Sequence, residues 1–114
     1  MEGRVIQVDN IPLVPSRHKG GIMKRVVMTH EEVVSALRMV NEAYLKKGQS
    51  FEEHSHPSME EVFYILAGQG QFTIDQKSHT VNPGDYIYIP PNSAHSCTAL
   101  SDMKFICFGV ALDN

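Results

Sequence analysis

Apolar and polar residues alternate along this chain in short runs, broken every few positions by glycine, proline, asparagine or aspartate. A period of two is the signature of a half-buried β-strand, because successive side chains point to opposite faces. On this basis strands are predicted over residues 4–8, 21–28, 61–66, 71–75, 86–89, 96–100 and 104–110. Gly68-Gln-Gly70 and residues 75–77 read as hairpin turns. In Asn82-Pro83-Gly84-Asp85 the proline and glycine stand where a type II turn needs a fixed φ and then a positive one. Pro90-Pro91-Asn92-Ser93 follows the same logic, with asparagine at the positive-φ position. One segment is ambiguous. Thr29-His-Glu-Glu32 has the form of a helix-capping box, whereas residues 37–46 alternate as a strand does, so a turn or short helix near 30–34 followed by a strand over 37–46 is expected. Many short strands and almost no helix predict an all-β sandwich or closed barrel.

No repeat, linker or low-complexity tract divides the chain, so its 114 residues are read as one domain, 1–114. An apolar share of 42% suffices for a core, and a net charge of −3 offers no general attraction to nucleic acid or an anionic membrane. The apolar runs are too short to span a bilayer and the N-terminus lacks a basic-then-apolar layout, which makes cytoplasmic residence the expectation. Cys97 and Cys107 are too few for a disulfide framework and read as buried, reduced thiols.

The chemistry concentrates between residues 48 and 68. His54 and His56 are two apart on an extended segment, so both rings project from one face. Pro57 and Ser58 turn the chain, and Glu61 opens a strand whose next inward positions are Phe63 and Ile65. An antiparallel return is expected to bring Glu61 across from the histidine pair. Two imidazoles and a carboxylate suit a divalent first-row metal. His95, following the 90–93 turn, is the best candidate for a fourth ligand. Glu60 competes with Glu61 for the carboxylate role, but it points to the opposite face.

These residues resemble the cupin family. Gly48, five residues, His54-x-His56, four residues, Glu61, six residues and Gly68 are similar to the first cupin motif without a break, over 48–68. Gly84, five residues, Pro90 and then His95 resemble the second, over 84–99, after a spacing of 15 residues. Asn92 and Ala99 depart from the second pattern, which puts in doubt a polar contact at the latter but no metal ligand. The resemblance implies a jelly-roll barrel (a double-stranded β-helix) holding one divalent transition metal, Mn, Fe, Ni, Co or Zn, on His54, His56, Glu61 and His95.

Such a centre is compatible with a dioxygenase, a decarboxylase or an isomerase or lyase acting on a small organic molecule, and also with a non-catalytic ligand-binding or sensor module. Alternation alone places Phe51, Phe63, Ile65, Phe72, Ile74, Tyr86, Tyr88, Cys97, Phe105 and Cys107 around the pocket. No second carboxylate or lysine stands where it is marked as catalytic, which argues against isomerase chemistry. Arg17, Lys19, Lys24 and Arg25 read as a solvated loop and strand edge, with anion steering as the alternative; His18, His30 and His79 read as ordinary packed or exposed side chains. Val62, Tyr64 and Leu66 form an apolar outer face opposite Glu61. A homodimer burying that face is expected, with the 4–8 strand added to the partner's sheet.

Overall fold

The alternating runs form ten strands in a computed structural model that describes residues 2–112. They are β1 (Val14–Pro15), β2 (Met23–Thr29), β3 (Leu37–Leu45), β4 (Ser50–His54), β5 (Met59–Ala67), β6 (Gly70–Ile74), β7 (Lys77–Val81), β8 (Tyr86–Ile89), β9 (His95–Ala99) and β10 (Met103–Ala111). A six-stranded sheet runs β1-β2-β3-β10-β5-β8 and a four-stranded sheet runs β4-β9-β6-β7. Every pairing is antiparallel. No helix among the described residues is long and apolar enough to cross a membrane.

Alternation decides what lies between the sheets. On β5 the buried residues include Glu61, Phe63 and Ile65, on β9 His95, Cys97 and Ala99, and on β10 Met103, Phe105 and Cys107. Phe63 is central. Its ring meets Phe72 at 5.0 Å and Phe105 at 5.5 Å, both edge-on, the arrangement that suits the quadrupoles of aromatic faces and edges.

The turns are built as the residues dictate. Gly84 has φ +93° and Asn92 φ +67°, both left-handed as the turn reading requires. Gly68, at φ +80°, meets a further constraint: a Cβ there would lie 1.9 Å from the Asp102 carbonyl oxygen. No side chain fits. The β6–β7 hairpin turns on Asp75 and Gln76, both at positive φ, with Ile74 paired to Lys77. The capping box also forms: the Thr29 N–H donates to Glu32 Oε1 at 2.9 Å, on a single 3-10 turn from His30 to Glu32.

Two expectations fail, and one strand, β7, is formed that alternation did not mark. Residues 4–8 form no strand; Val8–Asn10 is a 3-10 turn, and the chain beyond it is held by Arg25, which donates to the Ile11 carbonyl. A β-branched run has no ladder to join where the edge of the sheet is already taken by β1. β7 carried no apolar signal because its first four residues, Lys77 to Thr80, are all exposed on an edge strand. The second failure is that β5 does not return beside β4. Its neighbours are β10 and β8, so Glu61 approaches the histidines from the opposite sheet.

Candidate metal centre

Three strands and one turn supply the four side chains. His54 ends β4 and lies directly across from His95 at the start of β9, with a bulge between Phe51 and His54. That irregularity lets Phe51 and His54, three residues apart, both meet the interior. Their rings are 5.5 Å apart. His56 sits in the turn between β4 and β5, and Glu61 faces the group from β5. One donor atom from each of the four lies within 4.8 Å of every other. Glu61 Oε1 is 3.0 Å from His95 Nε2 and 3.2 Å from His56 Nε2.

The proton positions follow from the partners. Nδ1 of His95 is 3.0 Å from the Ser93 carbonyl, and Nδ1 of His54 is 2.8 Å from the Glu52 carbonyl. A carbonyl only accepts, so each Nδ1 carries a proton, and in the neutral ring each Nε2 turns a lone pair inward. His95 Nε2 and Glu61 Oε1 are both sealed from solvent, and neither has a hydrogen-bond partner. Two buried acceptors at 3.0 Å repel unless something positive lies between them. A proton would relieve one pair. A single cation relieves all four donors at once, and bonds of about 2.0–2.2 Å place adjacent ligand atoms at this kind of spacing. The donor set therefore fits a divalent metal.

The electrostatics agree. Burial pushes the Glu61 carboxyl up, but a hydrogen bond from His95 and the positive charge of His56 and His95, in the protonated form of those rings, outweigh it and leave the group below its ordinary value. The carboxylate thus draws positive charge to this spot, from protons where no metal is bound. Burial holds His54 below the usual imidazole range, and His95, His18 and His56 push the same way. The Cys107 thiol donates to Glu61 Oε2 at 3.5 Å, and burial together with that carboxylate holds it protonated, well above the ordinary thiol pKa. Glu60 points outward; the Tyr88 hydroxyl bonds to it and is raised in pKa, by that contact first.

The cluster opens onto a cavity of about 530 Å³. Phe51, Phe63, Phe105 and Cys107 line it as expected. Ile65, Phe72 and Cys97 are buried in the core and do not reach it, and Ile74 packs against that core. Tyr86 and Tyr88 are misplaced by the sequence reading. Both are exposed, while Ile87 and Ile89 point inward, because Phe63 pairs with Ile87 and Tyr64 with Tyr86. In a Tyr-Ile-Tyr-Ile strand either face could be the inner one, and only the register decides.

The cavity also holds residues that spacing did not mark. His18 lies in the loop before β2, its ring 4.7 Å from His54 and 5.2 Å from Phe51, with Nδ1 3.0 Å from Glu52 Oε1. His30, Arg17, Lys24 and Asn41 border the same space. Lys24 reaches the cavity from β2. His79 stays remote, on β7.

The Cupin domain model matches residues 41–109, most of the chain. The chain belongs to the cupin family. Its fold is the cupin jelly-roll barrel: a Thermotoga maritima crystal structure, described as a predicted oxalate decarboxylase, superposes with a TM-score of 0.86 at 23% identity, over 96% of this chain and 100% of that one. An uncharacterized protein of Methanocaldococcus jannaschii, MJ1618, is 29% identical over 91% of this chain and 85% of its own length. Acireductone dioxygenase from Bacillus licheniformis is 35% identical over 51% of this chain and 35% of its own length. The chain spans about a third of that dioxygenase's length.

Proposed function

We propose that this cupin is a metal-dependent enzyme, of dioxygenase or decarboxylase type, acting on a small organic molecule inside the barrel. One observation carries the reading: two buried acceptors, His95 Nε2 and Glu61 Oε1, oppose each other without a partner, and Glu61, His54 and His56 line a cavity of about 530 Å³. His54, His56, Glu61 and His95 hold one divalent transition metal, which supplies polarisation of a ligating carbonyl or carboxylate and, if redox-active, electrons. The protein's own contribution is orientation. Ser93 and Glu52 carbonyls fix the tautomers of His95 and His54, and Cys107 steadies the second carboxylate oxygen of Glu61. Phe51, Phe63 and Phe105 keep the floor dry, which strengthens every charge interaction there. The dioxygenase and decarboxylase names among the relatives support this class of reaction.

The test is metal analysis of protein purified without chelators or affinity-column metal, followed by oxygen-uptake and carbon dioxide-release screens on phenols, diketones and keto acids. Alanine at His54, His56 or His95 is expected to remove the metal, while His79→Ala retains it. Full occupancy in His95→Ala would remove that residue from the site, and metal-loaded protein inert across the screens would favour a binding module.

We infer further that the protein is a homodimer. Tyr64, Leu66, Tyr86 and Tyr88 are exposed on neighbouring strands of the six-stranded sheet, whereas Val62, expected on the same face, is itself buried. A surface this rich in large apolar groups is the kind a second copy covers.

A further inference from the structure

The cavity is positively charged in a protein that is not. Arg17 from the loop before β2, Lys24 from β2 and Arg38 from β3 border it, against one carboxylate, Glu61, which belongs to the metal cluster. The whole chain runs the other way, with 13 acidic residues to 10 lysines and arginines. Among the described residues none of these three cations forms a salt bridge. Elsewhere Arg4 pairs with Glu32 at 3.0 Å, and Arg25 donates to the Tyr44 hydroxyl at 3.0 Å.

Lys24 is the deepest of the three. It pairs across the ladder with Ala43, a buried residue of the cavity wall, and its ammonium is close enough to the Cys107 thiol to offset part of that group's upward shift. Asn41 stands two residues along β3, beside Val26 and Cys107 in register. Its Oδ1 is closed to solvent and lacks a hydrogen-bond partner. The wall around these two polar groups is apolar, made of Val26, Met39, Phe63 and Phe105. A closed-off amide oxygen is costly unless a ligand donates to it, and the Lys24 ammonium, in no salt bridge, is left to meet an anion. The volume carries its own information. About 530 Å³ falls in the ordinary range for a small-molecule site and leaves a two-carbon dianion loose.

We propose that the cavity takes an organic carboxylate with an aromatic-sized apolar body, its negative group held by Lys24, while Asn41 Oδ1 accepts from a hydroxyl or N–H of the ligand. This assignment rests on the reading of the cavity as a substrate site and names the substrate class for it. Arg17 and Arg38 at the rim raise the local concentration of such an anion and speed its entry.

Calorimetric titration with phenylpyruvate, its methyl ester and oxalate tests the assignment, on both metal-loaded and metal-stripped protein. Phenylpyruvate is expected to bind at least about tenfold more tightly than its ester, and more tightly than oxalate. Lys24→Met lowers the affinity for the acid to that for the ester and leaves the ester unaffected. Lys24→Arg retains the preference, and Lys77→Met, on the remote strand β7, changes nothing. The acid-over-ester preference persists, at lower affinity, after the metal is stripped. Equal binding of acid and ester, an unchanged affinity in Lys24→Met, tighter binding of oxalate, a preference seen only with metal, or no binding of the acid at millimolar concentration each overturns the proposal. Absence of metal from purified protein would instead sink the enzyme reading, and the acid-over-ester comparison would still decide this one.

Discussion

His95 Nε2 and Glu61 Oε1 meet at 3.0 Å from opposite sheets of the barrel, with the proton of His95 turned away to the Ser93 carbonyl. A fold tolerates such a buried encounter when a cation completes it. Removing the cation leaves repulsion; removing the charge of one partner removes it.

Glu61→Gln is the direct probe of this pair. A glutamine amide can donate to the His95 lone pair, so at about pH 8 the chelated variant is expected to be at least as stable as the chelated wild type. The gain is a buried hydrogen bond, about 1 kcal/mol, or roughly 4 °C in melting temperature for a domain of this size. The variant should also lose most of the stabilisation that added metal confers on the wild type. A chelated Glu61→Gln protein that melts well below chelated wild type would show that the pair is not opposed.

Acid should dissolve the metal's contribution. His54 has a folded-state pKa below its unfolded value, through burial first, so the folded protein binds fewer protons than the unfolded chain. Stability from that group is complete above the unfolded pKa, about 6.5, and is lost as pH falls toward the depressed folded value. A bound metal acts in the same direction, since only neutral imidazole ligates. The difference in melting temperature between metal-loaded and chelated protein is expected to shrink below that pH. Glu61, also depressed, sustains a remainder until the carboxylate range is reached. Melting curves from neutral to acid pH decide it; a constant difference would mean that these residues do not share a metal.

Both thiols should be silent in the native protein. Burial raises Cys97 to about 12 and lifts Cys107 well above its ordinary value, so neither presents thiolate near neutrality. A disulfide reagent is expected to label two thiols only after denaturant is added. Rapid labelling of folded protein would place at least one of them in a more open setting.

The outer face offers a mass test. Light scattering should report about twice the chain's 12.8 kDa for wild type, and Tyr64→Glu should shift the population to monomer, because a carboxylate replaces half-exposed aromatic surface beside Tyr86. A wild type that stays monomeric at micromolar concentration removes the dimer.

Local sequence determined whatever depends on neighbours a few positions away. Alternation in β5, β9 and β10 chose the buried side chains Phe63, Phe105 and Cys107, and it separated Glu61 from Glu60. The turn chemistry of Gly84 and Asn92 was legible because a positive φ restricts residue type directly. The spacing of His54, His56, Glu61 and His95 marked the four side chains that meet. Tertiary structure decided the rest. Period two says that Tyr86 and Ile87 face opposite ways, yet only pairing with Tyr64 and Phe63 says which is outside. The bulge in β4, the approach of Glu61 from the opposite sheet and the arrival of His18, Lys24 and Asn41 at the cavity leave no periodic trace, because they arise between residues far apart in the chain. Periodicity reports the two faces of one strand; which face is buried, and what stands across from it, is set by the strands it pairs with and the sheet it packs against.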